Sequence, residues 1–132
     1  MADWLIDDRL KPFLNIHFDR EMPANLIEEF CEATRLIADY AEPKKLIIFM
    51  VHGKLEVQLV VPKCGEYWRD VLVFDVDKIL TVPDRRMRIV IWLEELAHAL
   101  LGILDEDIIA RIVARIYPQV RYNEIAKRYE VV

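Results

Sequence analysis

The apolar positions change their period along the chain, and each change marks a change of element. Residues 23–42 open with Pro23, place Leu26, Ile27, Phe30, Ala33, Ile37 and Tyr40 at helical spacing and stop before Pro43, which predicts an amphipathic helix. Residues 46–51 and 55–61 are rich in β-branched side chains, and in the second Leu55, Val57, Leu59 and Val61 alternate with Glu56 and Gln58. With His52-Gly53-Lys54 between them, the two segments predict a hairpin. Residues 71–76 read as a third strand, after a 62–70 loop holding Gly65, Tyr67 and Trp68, and residues 15–18 as a fourth. The helical period then returns. Thr81, with Asp84 three residues later and Pro83 between, resembles a capping box, and Gly102 suits a C-terminal stop, so 82–101 reads as one helix. Asp105, Glu106 and Asp107 put acids where a helix dipole favours them. Ile108, Ile109, Ile112, Val113, Ile116 and Tyr117 then form a stripe that ends at Pro118. The tail, 121–132, reads as a short helix with a frayed end. The order predicts an α+β domain: an N-terminal helix, a small, mainly antiparallel sheet, then two further helices.

Composition narrows the chemistry. A chain of 132 residues, 55% hydrophobic and 31% charged, can enclose one core, so residues 1–132 form a single domain on this reading. The sequence holds no serine, which removes serine nucleophiles. Its three glycines, at 53, 65 and 102, are too scattered for a phosphate-cradling loop. Residues 1–83 carry 10 basic and 15 acidic groups and residues 84–132 carry 8 of each, so no basic domain exists and nucleic acid is an unfavoured partner. The one basic run, Arg85, Arg86 and Arg88, stands at the start of a helix, where cations oppose the dipole; its expected partners are acids of the first half. Cys31 and Cys64 read as reduced thiols. No apolar stretch approaches the roughly 20 residues that cross a bilayer, so the expectation is a soluble, cytoplasmic protein. Few Asn and Gln beside many Glu, Arg and Ile point to a thermophilic source.

From Ile89 to Leu101 the predicted helix is apolar all round except at Glu94, Glu95 and His98. Carboxylates in such a helix cost several kcal/mol unless paired, hydrogen-bonded or bound to a cation. Glu94 and His98 are four apart and Glu95 and His98 three apart, so all three project from one strip. Two readings follow. In one, protonated His98 answers Glu94 and no metal is involved; in the other, the i, i+4 spacing lets two side chains reach one ion. Glu95-x-x-His98 is also the spacing of carboxylate-bridged di-iron bundles, but the chain has no second Glu-x-x-His to complete one. His17 and His52 read as solvated histidines.

The stretch Glu95-Leu96-Ala97-His98-Ala99-Leu100-Leu101-Gly102 resembles the HExxH helix of zincin metallopeptidases, in particular the small ImmA/IrrE-type domains. The order of helix, strands, active-site helix and ligand-bearing helix is similar over residues 23–118. The resemblance makes His98 the second metal ligand and Glu95 the catalytic base that activates a bound water. Glu94 stands where the family has its first histidine. For the third ligand the resemblance points to an acid on the following helix, Glu106 before Asp105 or Glu124. A carboxylate at 94 still binds zinc, but it donates more charge than imidazole, weakens the metal as a Lewis acid and admits manganese as a competitor. The expectation is a zincin-like protein, impaired or inactive as a peptidase, that acts by binding a peptide or protein. Alternatives are an active peptidase with a Glu/His/Glu ligand set, and a metal-free interaction protein with a buried Glu–His pair and no cofactor. In the resemblance the strand after Tyr67 and Trp68 is the edge that pairs with a peptide, and such an edge also suits a homo-dimer.

Overall fold

The computed structural model describes residues 4–53, 63–64, 67–68 and 70–132. A 3-10 turn, Lys11–Phe13, leads into strand β1 (Leu14–Phe18), helix α1 (Ala24–Ala38) and strand β2 (Leu46–Val51). Two short strands, β3 (Lys63–Cys64) and β4 (Tyr67–Trp68), pair with each other and precede β5 (Asp70–Asp75). Helices α2 (Val76–Leu80), α3 (Arg85–Leu101) and α4 (Glu106–Ile116) follow, then strands β6 (Val120–Asn123) and β7 (Arg128–Val131). The mixture is of the α+β class, and no helix of the described residues is long and apolar enough to cross a membrane.

The main sheet differs from expectation in direction. Its order is β1-β2-β5, and both ladders run parallel, Ile16 opposite Ile48 and Ile48 opposite Leu72. A mainly antiparallel sheet is therefore not what the described residues form; among them the antiparallel ladders are the two small pairs β3–β4 and β6–β7. For β1 and β2 the reason is the crossover: α1 carries the chain back along the sheet, so β2 re-enters beside β1 in the same sense. The 55–61 half of the expected hairpin lies outside the described residues. β5 pairs with β2 on one side and has no second neighbour among the described residues.

Alternation sorts the sheet's faces. Leu46, Ile48 and Met50 of β2 and Leu72 and Phe74 of β5 are buried, whereas Phe49 is exposed. The buried face meets α1 and α3, which also pack on each other. Phe30, Phe74 and Trp92 meet at the centre, with ring centroids 5.5 Å apart for Phe30–Trp92 and 4.6 Å for Phe74–Trp92. The arginine run behaves largely as its charge suggests. Arg88 forks onto buried Glu29 of α1 with two 2.9 Å bonds, and Arg85 reaches Glu32, while Arg86 turns back to Asp84.

Three helix-end readings change, the first being that α1 stops at Ala38 and not at residue 42, so that Tyr40 lies beyond the helix and is exposed. α3 starts at Arg85, capped by Asp84, whose carboxylate accepts from the Arg86 N–H at 2.8 Å. Thr81 instead closes α2, its hydroxyl donating to the Lys78 carbonyl at 2.6 Å. The tail is a hairpin and not a helix. Asn123 Oδ1 accepts from the N–H groups of Ile125 and Ala126, and Lys127 takes a left-handed φ of 57°, so the chain turns and β7 returns along β6.

Candidate metal centre

α3 carries Glu94, Glu95 and His98, and α4 brings Glu106 back to them. The return is short because Gly102 ends α3 in the left-handed conformation, φ 68°, its N–H bonded to the His98 carbonyl. Asp105 then caps α4 by accepting from the Ile108 N–H at 2.9 Å. The chain between these caps places the Ile103 carbonyl 2.6 Å from His98 Nδ1. A carbonyl only accepts, so Nδ1 carries the hydrogen and Nε2 is the nitrogen that faces outward. Nε2 lies 3.2 Å from Glu106 Oε2.

Glu94 completes a group in which one ligand atom from each of Glu94, His98 and Glu106 lies within 4.8 Å of the others. His98 is buried, Glu94 half-buried and Glu106 exposed, so the group sits at the rim of the core and opens to solvent. Around a tetrahedral zinc, ligand atoms at about 2.0–2.1 Å from the metal stand about 3.4 Å apart. The His98–Glu106 pair is already at that spacing, and Glu94 needs to close by no more than roughly 1.5 Å. Two carboxylates and one imidazole suit zinc or manganese. The Nδ1–carbonyl bond is the kind of outer contact that orients a ligating histidine and fixes its tautomer.

The electrostatics of the site ask for positive charge. Burial pushes the Glu94 carboxyl up; the Tyr129 hydroxyl, which donates to Oε2 at 2.7 Å, opposes this, and the charge of Glu106 adds to the rise. Burial likewise raises Glu95, with His98 working against it. For His98 burial is the largest single influence and pulls downward, but the Ile103 carbonyl, Glu106 and Glu95 together outweigh it and the ring's pKa is raised. The described arginines do not answer these acids: Arg85, Arg86 and Arg88 pair as above, and Arg111 pairs with Glu124.

Glu95 is near but not among the three. It accepts no hydrogen bond among the described residues and lines, with Glu94 and Tyr129, a pocket of about 310 Å3 whose other walls are Val82, Met87, Val90 and Ile91. Asp105 and Glu124, the other acids considered for the third ligand, are occupied as cap and as ion-pair partner and do not join the group. His17 is exposed and stacks on Phe49, but His52 departs from the solvated reading: its side chain is 9% exposed and its Nδ1 lies 2.8 Å from Asp19. Two contributors escaped sequence reasoning. The Ile103 carbonyl carries no side-chain signal, and Tyr129 lay in a tail read as helix; the alternation of Val120 and Tyr122 with Tyr129 and Val131 was the signal that could have found the hairpin.

Compared with known proteins, the chain matches no protein family, no curated protein and no solved structure.

Proposed function

We propose that this is a zincin-like domain in which Glu94, His98 and Glu106 hold a divalent cation, zinc or manganese, and that it cleaves peptides poorly and acts by binding a peptide or protein. The observation that carries the reading is the convergence of the three side chains, contributed by two helices, around a histidine whose Nδ1 is already tied to a backbone carbonyl. The order of helix, strands, site helix and ligand-bearing helix supports it further. A bound metal would supply Lewis acidity to a water or a peptide carbonyl. Glu95, half-buried with its pKa raised, is suited to take a proton at its carboxylate, and the neighbouring apolar pocket is suited to an aliphatic or aromatic side chain of a peptide. The anionic Glu94 in place of an imidazole is what weakens cleavage.

A second reading has its own observation. His98 Nε2 and Glu106 Oε2 at 3.2 Å also satisfy each other as an ion pair without any metal. Metal analysis of protein purified without added zinc, followed by zinc and manganese titration and a peptide-cleavage assay with each, separates the two. The proposal expects one bound ion per chain and little cleavage. Absence of binding at millimolar metal adopts the ion-pair reading, and robust cleavage abolished by both a chelator and Glu95→Gln replaces the binding role with an active peptidase.

A further inference from the structure

The C-terminal hairpin touches both helices that carry the candidate ligands. Tyr129 of β7 donates its hydroxyl to Glu94 Oε2 at 2.7 Å across 35 residues of sequence. At the other side Asp107, next in sequence to Glu106, accepts from the Tyr122 hydroxyl at 2.6 Å and from Lys127 at 2.7 Å. Tyr122 and Tyr129 pack on each other, ring centroids 5.5 Å apart, so the α3 contact and the α4 contact belong to one hairpin.

Resting on the metal-site reading, we infer that the hairpin is part of the site and that Tyr129 is a positioning residue for Glu94. A glutamate side chain loses rotamer freedom when it binds an ion, and one already fixed by a hydrogen bond loses less at that step. A phenol on Oε2 leaves Oε1 for the ion, which favours binding through one oxygen. It also withdraws charge from the carboxylate, bringing Glu94 closer to the neutral ligand it stands in for. The two bonds to Asp107 hold the first turn of α4, and with it Glu106, against the same hairpin.

The test is zinc titration of the full chain and of Tyr129→Phe, Asp107→Ala, Glu94→Ala and the Glu94→Ala/Tyr129→Phe double variant, with the visible spectrum of the cobalt(II)-loaded forms. Tyr129→Phe keeps the ring and the Tyr122 contact, and metal-free melting curves check that it folds. The expected result is zinc binding weakened about 10-fold by Tyr129→Phe, an altered cobalt spectrum, and no further loss when Tyr129→Phe is added to Glu94→Ala. Asp107→Ala, which leaves every ligand in place, should weaken zinc severalfold and serves if Tyr129→Phe does not fold. If the parent binds zinc and both hairpin variants titrate like it, the hairpin inference falls and the metal reading stands. An equal loss from Tyr129→Phe in the presence and absence of Glu94 overturns the positioning role. A parent that binds neither zinc nor manganese overturns the metal reading, and this inference with it.

Discussion

A carboxylate at position 94 and an imidazole at the same position would leave the same metal with different chemistry, because the anion adds charge that the neutral ring does not. Glu94→His recreates His-Glu-x-x-His on a helix that already places Glu95 and His98. The variant should bind zinc more tightly by about an order of magnitude or more, since even outer-shell changes shift affinity by roughly 10 to 100-fold. Titration calorimetry reads the affinity, and zinc should raise the variant's melting temperature more than the parent's. Equal affinities would place residue 94 outside the ligand set. Glu94, Glu95 and His98 were legible in the sequence because they are the only polar positions in an otherwise apolar turn-by-turn run, and burial makes such exceptions costly. Tyr129 was not legible, since nothing in its neighbourhood distinguishes a tyrosine that caps a carboxylate from one that fills a core.

At the scale of elements, the turn between α3 and α4 couples stability to the site. Gly102 has open space where a Cβ would go, so Gly102→Ala costs only the left-handed backbone, about 1–2 kcal/mol. Denaturant unfolding measures that loss, and the weaker turn should also loosen the Ile103 carbonyl from His98. The start of α3 supplies a pH dependence. Bonds from the Arg86 side chain, then from the Arg86 backbone N–H, hold Asp84 below its ordinary value of 3.8. A lowered carboxylate stabilises the folded state fully above that ordinary value, and the contribution is lost as pH falls through the folded one. Melting curves from pH 7 to pH 3 should therefore fall less steeply for Asp84→Asn than for the parent; identical slopes would show that the cap's charge is irrelevant. Helix α1, the Gly102 stop and α4 were legible from Pro23, Gly102 and the Asp105 cap. The start of α3 was misplaced because Thr81 and Asp84 both have capping chemistry and periodicity does not choose between them. The tail was misread because Glu124, Ala126 and Lys127 favour helix, while the Asn123 side chain competes for the same backbone N–H groups and makes a turn.

For the molecule as a whole, the buried Glu29–Arg88 pair locks α1 to α3 beneath the sheet, with side-chain exposures of 2% and 14% for the glutamate and the arginine. Removing Glu29 leaves the Arg88 charge with only the Val82 and Pro83 carbonyls as partners, so Glu29→Ala should cost about 3 kcal/mol in denaturant unfolding; a cost under about 1 kcal/mol would mean that those carbonyls, water or another acid take its place. That Arg85 and Arg88 would seek acids of the first half was legible from the uneven charge. The direction of the sheet was not: alternation tells which face of a strand is buried, whereas parallel or antiparallel pairing is decided by where the connection returns the chain, as α1 does between β1 and β2. The turn at Gly102 places the closing helices α3 and α4 side by side and so brings together candidate ligands that lie up to twelve residues apart in sequence. Crystals grown with zinc or manganese and recorded across the absorption edge of each metal test that assembly most directly. The account predicts one anomalous peak, about 2.0–2.2 Å from His98 Nε2 and from an oxygen of each of Glu94 and Glu106. No peak there, with the His98–Glu106 hydrogen bond intact at full metal concentration, would contradict it.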